Sequence, residues 1–295
     1  MSEQEQSWKG LPVGARHHRA YVSPPESYDI GGAYQFALLV FLGLREWHYL
    51  LDVGCGSLRG GRFFITYLLP GRYHGIEPNS WLVRDAIKNE IGEDMLRLKK
   101  PVFSDDSNFT LSTFGKKFDF ILAQSIFSHA SKAQIRRCLS EARKVMKPES
   151  IFAATFVEGE EDYEGDEWVY PGEVTYTFET MRSLAEEQGF ACVKLDWPHA
   201  YMQQWVAIVH PDNIENLPAM CDAARIKRLE RELEYYRERL NSITSHPYVK
   251  LGLRANSALQ CLRRWCSGLL RSNALVLLQP ALLQAVEHAT MHVMV

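Results

Sequence analysis

Four places along the 295-residue chain gather side chains that can do chemistry. The first is Asp52-Val-Gly54-Cys55-Gly56, where an acid sits in an apolar run (Leu50, Leu51, Val53) and glycines follow. Bare backbone at such a turn lets a bound group approach closely. The helix expected from Arg59 to Leu69 turns its N-terminus toward the same point. A second acid, Glu77, closes the next apolar run, Tyr73 to Ile76. The second place is Gln124-Ser-Ile-Phe-Ser-His129. Histidine exchanges protons near neutrality, so His129 is a candidate general base, against the alternative that it caps or packs. The third is Glu158 to Glu167, seven acids in ten residues. Such a run is by default a solvated loop. It can also serve as a lid, a metal site or a contact for a cation, but its spacings fit no particular metal, and none is expected. The fourth is Trp197-Pro-His199, which with Trp168 and Tyr170 could line a pocket for a flat or sugar-like face.

The elements that must position these residues alternate. Short apolar runs at 50–53, 73–76, 101–103, 118–123 and 151–157 read as strands, separated by helical patterns. Ser131-Lys-Ala-Gln134 reads as a capping box opening a helix that ends near Lys147-Pro148. A helix from Thr177 to Gln188 stops at Gly189, and runs at 191–195 and 203–209 end the sheet as a hairpin. This is the α/β, doubly wound pattern. Before the first strand, a helix from Asp29 or Gly31 to Leu44 is expected to bury Ile30, Ala33, Ala37, Val40, Phe41 and Leu44. Residues 1–27, polar and proline-bearing, are expected to form a mobile arm.

Leu51-Asp52-Val53-Gly54-Cys55-Gly56, Glu77 and Phe118 to Ser125, in that order, resemble the class I S-adenosylmethionine (SAM)-dependent methyltransferases. The resemblance covers residues 28–211 and departs at one point, with Leu58 where the third glycine of the motif usually stands. It implies a Rossmann-like sheet with an antiparallel last strand and SAM as cofactor. The cofactor set it implies is Asp52, Gly54, Cys55, Gly56, Glu77 on the ribose hydroxyls, Asn79, Asp105 or Asp106 near the adenine, and Gln124. The alternative for Asp105 and Asp106 is an Asx turn. Tyr28, Tyr34 and Gln35 become candidate lid residues over the cofactor, and His129 the candidate base. The wording of the two loops is also similar to bacterial methyltransferases of surface-polysaccharide and other glycan pathways, which implies a hydroxyl of a sugar or related small molecule as acceptor. The alternative is a non-catalytic SAM-binding scaffold that recruits partners through its C-terminal helices.

Past residue 211 the composition changes. Ile226, Leu229, Leu233, Tyr236 and Leu240 follow heptad spacing between charged residues, so residues 212–295 are expected to be a helical, coiled-coil-like extension with a homodimer seam at 226–240. Residues 251–288, rich in Leu, Trp and Arg, suit a partner or a membrane surface. A net charge of −3 argues against nucleic acid as a partner. Six scattered cysteines, a polar N-terminus and no long uncharged apolar run lead us to expect a cytoplasmic protein with reduced thiols.

Overall fold

The computed structural model describes residue 8 and residues 10–218. The heptad seam and the Leu/Trp/Arg-rich stretch lie outside the described residues. Helix α1 (His18–Val22) and a 3₁₀ turn (Pro25–Ser27) lead into α2 (Tyr28–Phe41). Then come β1 (Leu50–Val53), α3 (Gly61–Tyr67), β2 (Tyr73–Ile76) and α4 (Ser80–Ala86), which continues as a π turn over Ile87–Ile91. Next are α5 (Glu93–Lys99), β3 (Val102–Ser104), β4 (Phe118–Ala123), α6 (Lys132–Val145) and β5 (Met146–Glu158). The described part closes with β6 (Thr175–Tyr176), α7 (Phe178–Glu186), β7 (Ala191–Leu195) and β8 (Gln204–Val209).

The sheet order is β3-β2-β1-β4-β5-β8-β7, with β6 beside β5. β1 to β5 run parallel, and β8 lies antiparallel between β5 and β7. Every residue of β1 and β2 is buried, as a central parallel strand covered on both faces requires. One apolar cluster holds Leu51, Val53, Ile121 and the buried face of α6, while another holds Leu50, Phe120, Leu122 and α3. Reversing at β1, between β2 and β4, the strand order leaves a crevice beyond the carboxyl ends of these strands. The capping box at α6 is present: the Ser131 hydroxyl accepts from Gln134 N–H, and the Gln134 amide oxygen accepts from Ser131 N–H at 2.9 Å.

Three expectations need correction. The segment before Tyr28 is not a mobile arm over residues 10–27. Ala20 and Ser23 are buried, and His18 and Arg19 both bind Glu90 on the π turn. Of the Arg-His-His-Arg cluster, which looks like solvated charge in isolation, His18 and Arg19 are taken up by that acid and Arg16 lies over the Trp81 ring. The buried face of α2 is also different: Tyr28, Gly31, Gly32, Gln35, Leu38 and Leu39 face inward, while Ile30 and Phe41 are exposed. Gly32 decides this, because a Cβ there would collide with the Arg59 carbonyl. The helix is rotated so that its small residues meet the loop after β1. Finally, β5 starts at Met146 instead of Ile151, because Ser150 Oγ donates to Phe118 O at 2.6 Å and carries an irregular register across Lys147-Pro-Glu.

Candidate active site

A cavity of about 570 Å³ opens at the carboxyl ends of β1, β2 and β4. Its floor is the loop after β1. Gly54 (φ +68°) and Gly56 (φ +53°) take left-handed backbone, and a Cβ on Gly54 would strike Ile126. Leu58, at the place of the third glycine, takes the same left-handed conformation (φ +57°). A branched residue at such a φ is strained by roughly 1–3 kcal/mol. Its side chain is wholly buried in the cluster around α3, which offsets that cost.

Glu77, at the end of β2, reaches back over this loop. One of its carboxylate oxygens accepts from Gly56 N–H at 3.0 Å and the other from Asn79 N–H at 2.8 Å. Burial raises its pKa against the pull of those two donors. Asp52 is buried beside the loop and accepts from the Tyr73 hydroxyl at 2.7 Å. Burial pushes its carboxyl up to about 7, the Tyr73 bond and Arg59 pulling down and Glu77 adding to the rise. Cys55 lines the cavity as a buried thiol, raised well above its usual pKa by burial and by Asp52.

The structure separates the two aspartates. Asp106 lines the cavity, whereas Asp105 is exposed and does not. Asp106 Oδ2 accepts from Asn108 N–H at 2.9 Å and Thr110 N–H at 2.7 Å, an Asx turn. Burial alone would raise its pKa; the Thr110 and Asn108 donors outweigh that and hold it below the usual range. Gln124 lines the cavity and sits at the centre of a polar cluster. Its amide is 2.6 Å from that of Gln35, receives Arg59, and lies 2.8 Å from His199 Nε2. His199 Nδ1 accepts from the N–H groups of Tyr201 and Gln203, at 3.1 and 3.2 Å. Burial first, and Arg59 second, push its pKa down to about 3. Among the lid candidates, Gln35 lines the cavity; Tyr28 supports the loop from behind, donating to Ser57 O at 2.7 Å, and Tyr34 lies outside the cavity.

His129 lines the opposite wall and is buried. Its Nδ1 faces two backbone carbonyls, Val169 O at 3.0 Å and Gly172 O at 2.8 Å. Two acceptors demand a proton on Nδ1, so Nε2 carries the free lone pair. The segment that supplies those carbonyls follows the acidic run. Val169 N–H returns to His129 O, Val174 N–H to Ser128 O, and β6 pairs with β5. Trp168 and Tyr170 from this segment line the cavity, their rings 5.5 and 5.1 Å from His129. Trp197 does not join them; its indole N–H donates to Tyr34 O and its ring packs on Phe41. Among the described residues no cluster of three or more His, Cys, Asp or Glu could hold a metal ion.

Sequence reasoning missed Tyr21 and Val22 of α1, whose side chains close the cavity against Gly56 and Tyr170. It also missed Arg59, a buried guanidinium that reaches Val22 O, the Tyr201 hydroxyl and Gln124, all neutral oxygens. A signal for Arg59 existed. A cation just before the first turn of a helix opposes the helix dipole, so its presence there calls for another reason.

Residues 51–152 match the methyltransferase domain family. No curated protein matches the chain. Among solved structures, the magnesium protoporphyrin IX methyltransferase of Synechocystis PCC 6803, with bound SAM, superposes with a TM-score of 0.50 at 14% identity. That likeness covers 71% of this chain and 92% of that one. The fold is that of a class I methyltransferase. Two further solved structures that the chain resembles are DesVI of Streptomyces venezuelae (TM-score 0.47, 13% identity, 62% of this chain and 92% of that one) and the mitomycin 7-O-methyltransferase MmcR (TM-score 0.49, 16% identity, 65% and 56%). The cofactor of this fold is SAM, and the cavity fits it: a bare glycine loop, a carboxylate already oriented by two N–H groups, and a buried cation, Arg59, that among the described residues meets neutral oxygens and could take an anionic end.

Proposed function

We propose that this chain is a SAM-dependent methyltransferase that methylates a small-molecule acceptor, with a hydroxyl of a sugar or glycan precursor as the acceptor class. The cofactor is S-adenosyl-L-methionine. Gly54 and Gly56 would leave room for it, Glu77 would take the ribose hydroxyls, and Arg59 with Gln124 would face its amino-acid end. Bound there, SAM supplies an electrophilic methyl group on a sulfonium that leaves as a neutral thioether.

The observation that carries the catalytic reading is the fixed tautomer of His129. Nε2 is the basic nitrogen and stands at the cavity wall. It takes the proton of the acceptor hydroxyl, and the Val169 and Gly172 carbonyls stabilise the imidazolium that results. The cavity walls exclude water and hold the acceptor in line, which alone supplies a large part of the rate. Trp168, Tyr170 and Tyr21 support a sugar-like acceptor, since aromatic rings lie well against the apolar faces of such rings.

The test is turnover of SAM to S-adenosylhomocysteine in the presence of fractionated glycan precursors. Acceptor-dependent turnover that falls about 10²–10⁴-fold in His129→Ala, with cofactor binding intact, supports the reading. Cofactor binding without turnover on any fraction favours the scaffold instead.

A further inference from the structure

The end of the sheet opposite the cavity carries a charge pattern that methyl transfer does not use. The loops entering β1, β2, β3 and β4 all lie at the amino ends of parallel strands and are joined to one another. Leu69 N–H donates to Glu46 O at 2.8 Å, and Gly71 N–H to Lys99 O at 2.7 Å. Arg72 and Lys116 both lie over the Tyr49 ring, 4.1 and 5.2 Å from its centre. These loops bring together Arg45, Arg72, Lys99, Lys100, Lys116 and Lys117 with Glu46, beside Asp119, whose carboxylate is taken up by Tyr49 N–H and Lys147, on a chain whose net charge is −3. The acids at this end collect farther along the sheet, at Glu149, Asp212 and Glu215.

Apolar side chains stand among the cations. Trp47 is 54% exposed and Leu69 46%, with Leu98 (64%) and Val102 (42%) beside the Lys99-Lys100 corner. A surface with no partner has little reason to gather an exposed indole and three aliphatic residues on loops that also carry these lysines and arginines. The combination of long cationic side chains with a tryptophan and aliphatic tips is what an anionic lipid surface selects. The cations meet headgroups, and the indole settles at the level of the acyl boundary. Nucleic acid would match the charge but not the aliphatic residues.

We infer that the amino-end face of the sheet, centred on Trp47 and the Lys99-Lys100 corner, docks on an anionic membrane surface. In that orientation the catalytic cavity points away from the bilayer, so the acceptor reaches it from the aqueous side. The inference does not depend on which acceptor is methylated.

The test is flotation of the full chain with vesicles of phosphatidylcholine alone and of phosphatidylcholine with phosphatidylglycerol. Binding only to the anionic vesicles is expected, weakening as salt is raised. Lys99→Glu/Lys100→Glu should lower the partition coefficient at least about tenfold. In a second measurement, brominated lipid should quench the fluorescence of the wild type more than that of Trp47→Phe. S-adenosylhomocysteine binding should be unchanged in both variants, which shows that they fold. Failure to float would overturn the inference. So would flotation insensitive to both variants, which assigns the contact to residues 219–295, or retention of nucleic acid but not vesicles through the same lysines.

Discussion

At the residue scale, the proposed chemistry divides between a cofactor wall and a proton-accepting wall. Glu77 is held by two backbone N–H groups before any ligand arrives, so little ordering remains for binding to impose. Asp52 makes cofactor binding sensitive to pH. Its carboxyl sits near 7 because it is buried, and a cation placed beside it favours the ionised form. Affinity for SAM, which carries an ammonium and a sulfonium, should therefore rise between pH 6 and pH 8 by up to about tenfold, and Asp52→Asn should flatten that rise. Titration calorimetry at the two pH values checks this; a flat wild-type profile would remove Asp52 from the linkage. On the other wall, His129→Asn tests orientation as well as basicity. An amide can keep one bond to the carbonyl pair but cannot take the proton at Nε2. Its rate should match that of His129→Ala, and recovery of activity in the Asn variant would mean that the residue only positions the acceptor.

At the scale of elements, the site depends on a helix that the sequence does not advertise. α1 closes over Gly56 through Val22 and is tied down by Glu90, which receives His18 and Arg19 and also Arg62 from α3. Burial would raise the Glu90 pKa; His18, Arg19 and Arg62 outweigh it and bring it to about 2. Glu90→Gln should loosen α1 without unfolding the sheet. Hydrogen exchange over residues 10–27 should speed up by at least about tenfold, while β1 and β4 stay protected. Unchanged exchange in that segment would show that apolar contacts alone hold the helix. The same element shows where reading from sequence stops. Strand–glycine–helix at 50–67 and the capping box at Ser131 were legible, because local residue types alone decide them. The rotation of α2 was not, because a close approach between Gly32 and the Arg59 carbonyl overrides the apolar period. The packing of residues 10–27 was not legible either, because the acid that neutralises its cations lies about 70 residues away. Within the site, Glu77 and the glycines were readable from type and order. Arg59 and the separation of Asp105 from Asp106 emerge only when the loops are folded.

For the whole molecule, one buried histidine couples stability to acid. His74, in β2, sits among Tyr49, Phe114 and Phe118 with Nδ1 unpaired. Burial pushes its pKa down to about 4, with Lys116 adding and a backbone bond opposing. An unfolded imidazole titrates near 6.5, so between about 6.5 and 4 the unfolded chain binds the extra proton. The neutral ring's contribution is therefore complete above that window and lost as pH falls through it. His74→Phe, in surroundings that are already aromatic, should gain on the wild type by roughly 1–2 kcal/mol between pH 7 and pH 5. Denaturant melts at the two pH values measure that gain; parallel curves for the two proteins would contradict it. The sheet that depends on this packing also sets the cofactor cavity at one end. The most direct test is calorimetric titration of S-adenosylhomocysteine into the full chain and into Glu77→Ala. One site per chain is expected in the wild type, with at least about a tenfold loss of affinity in the variant as charge-assisted hydrogen bonds to the ribose are removed. Wild-type affinity in Glu77→Ala, or no binding to either protein at millimolar ligand, would contradict it.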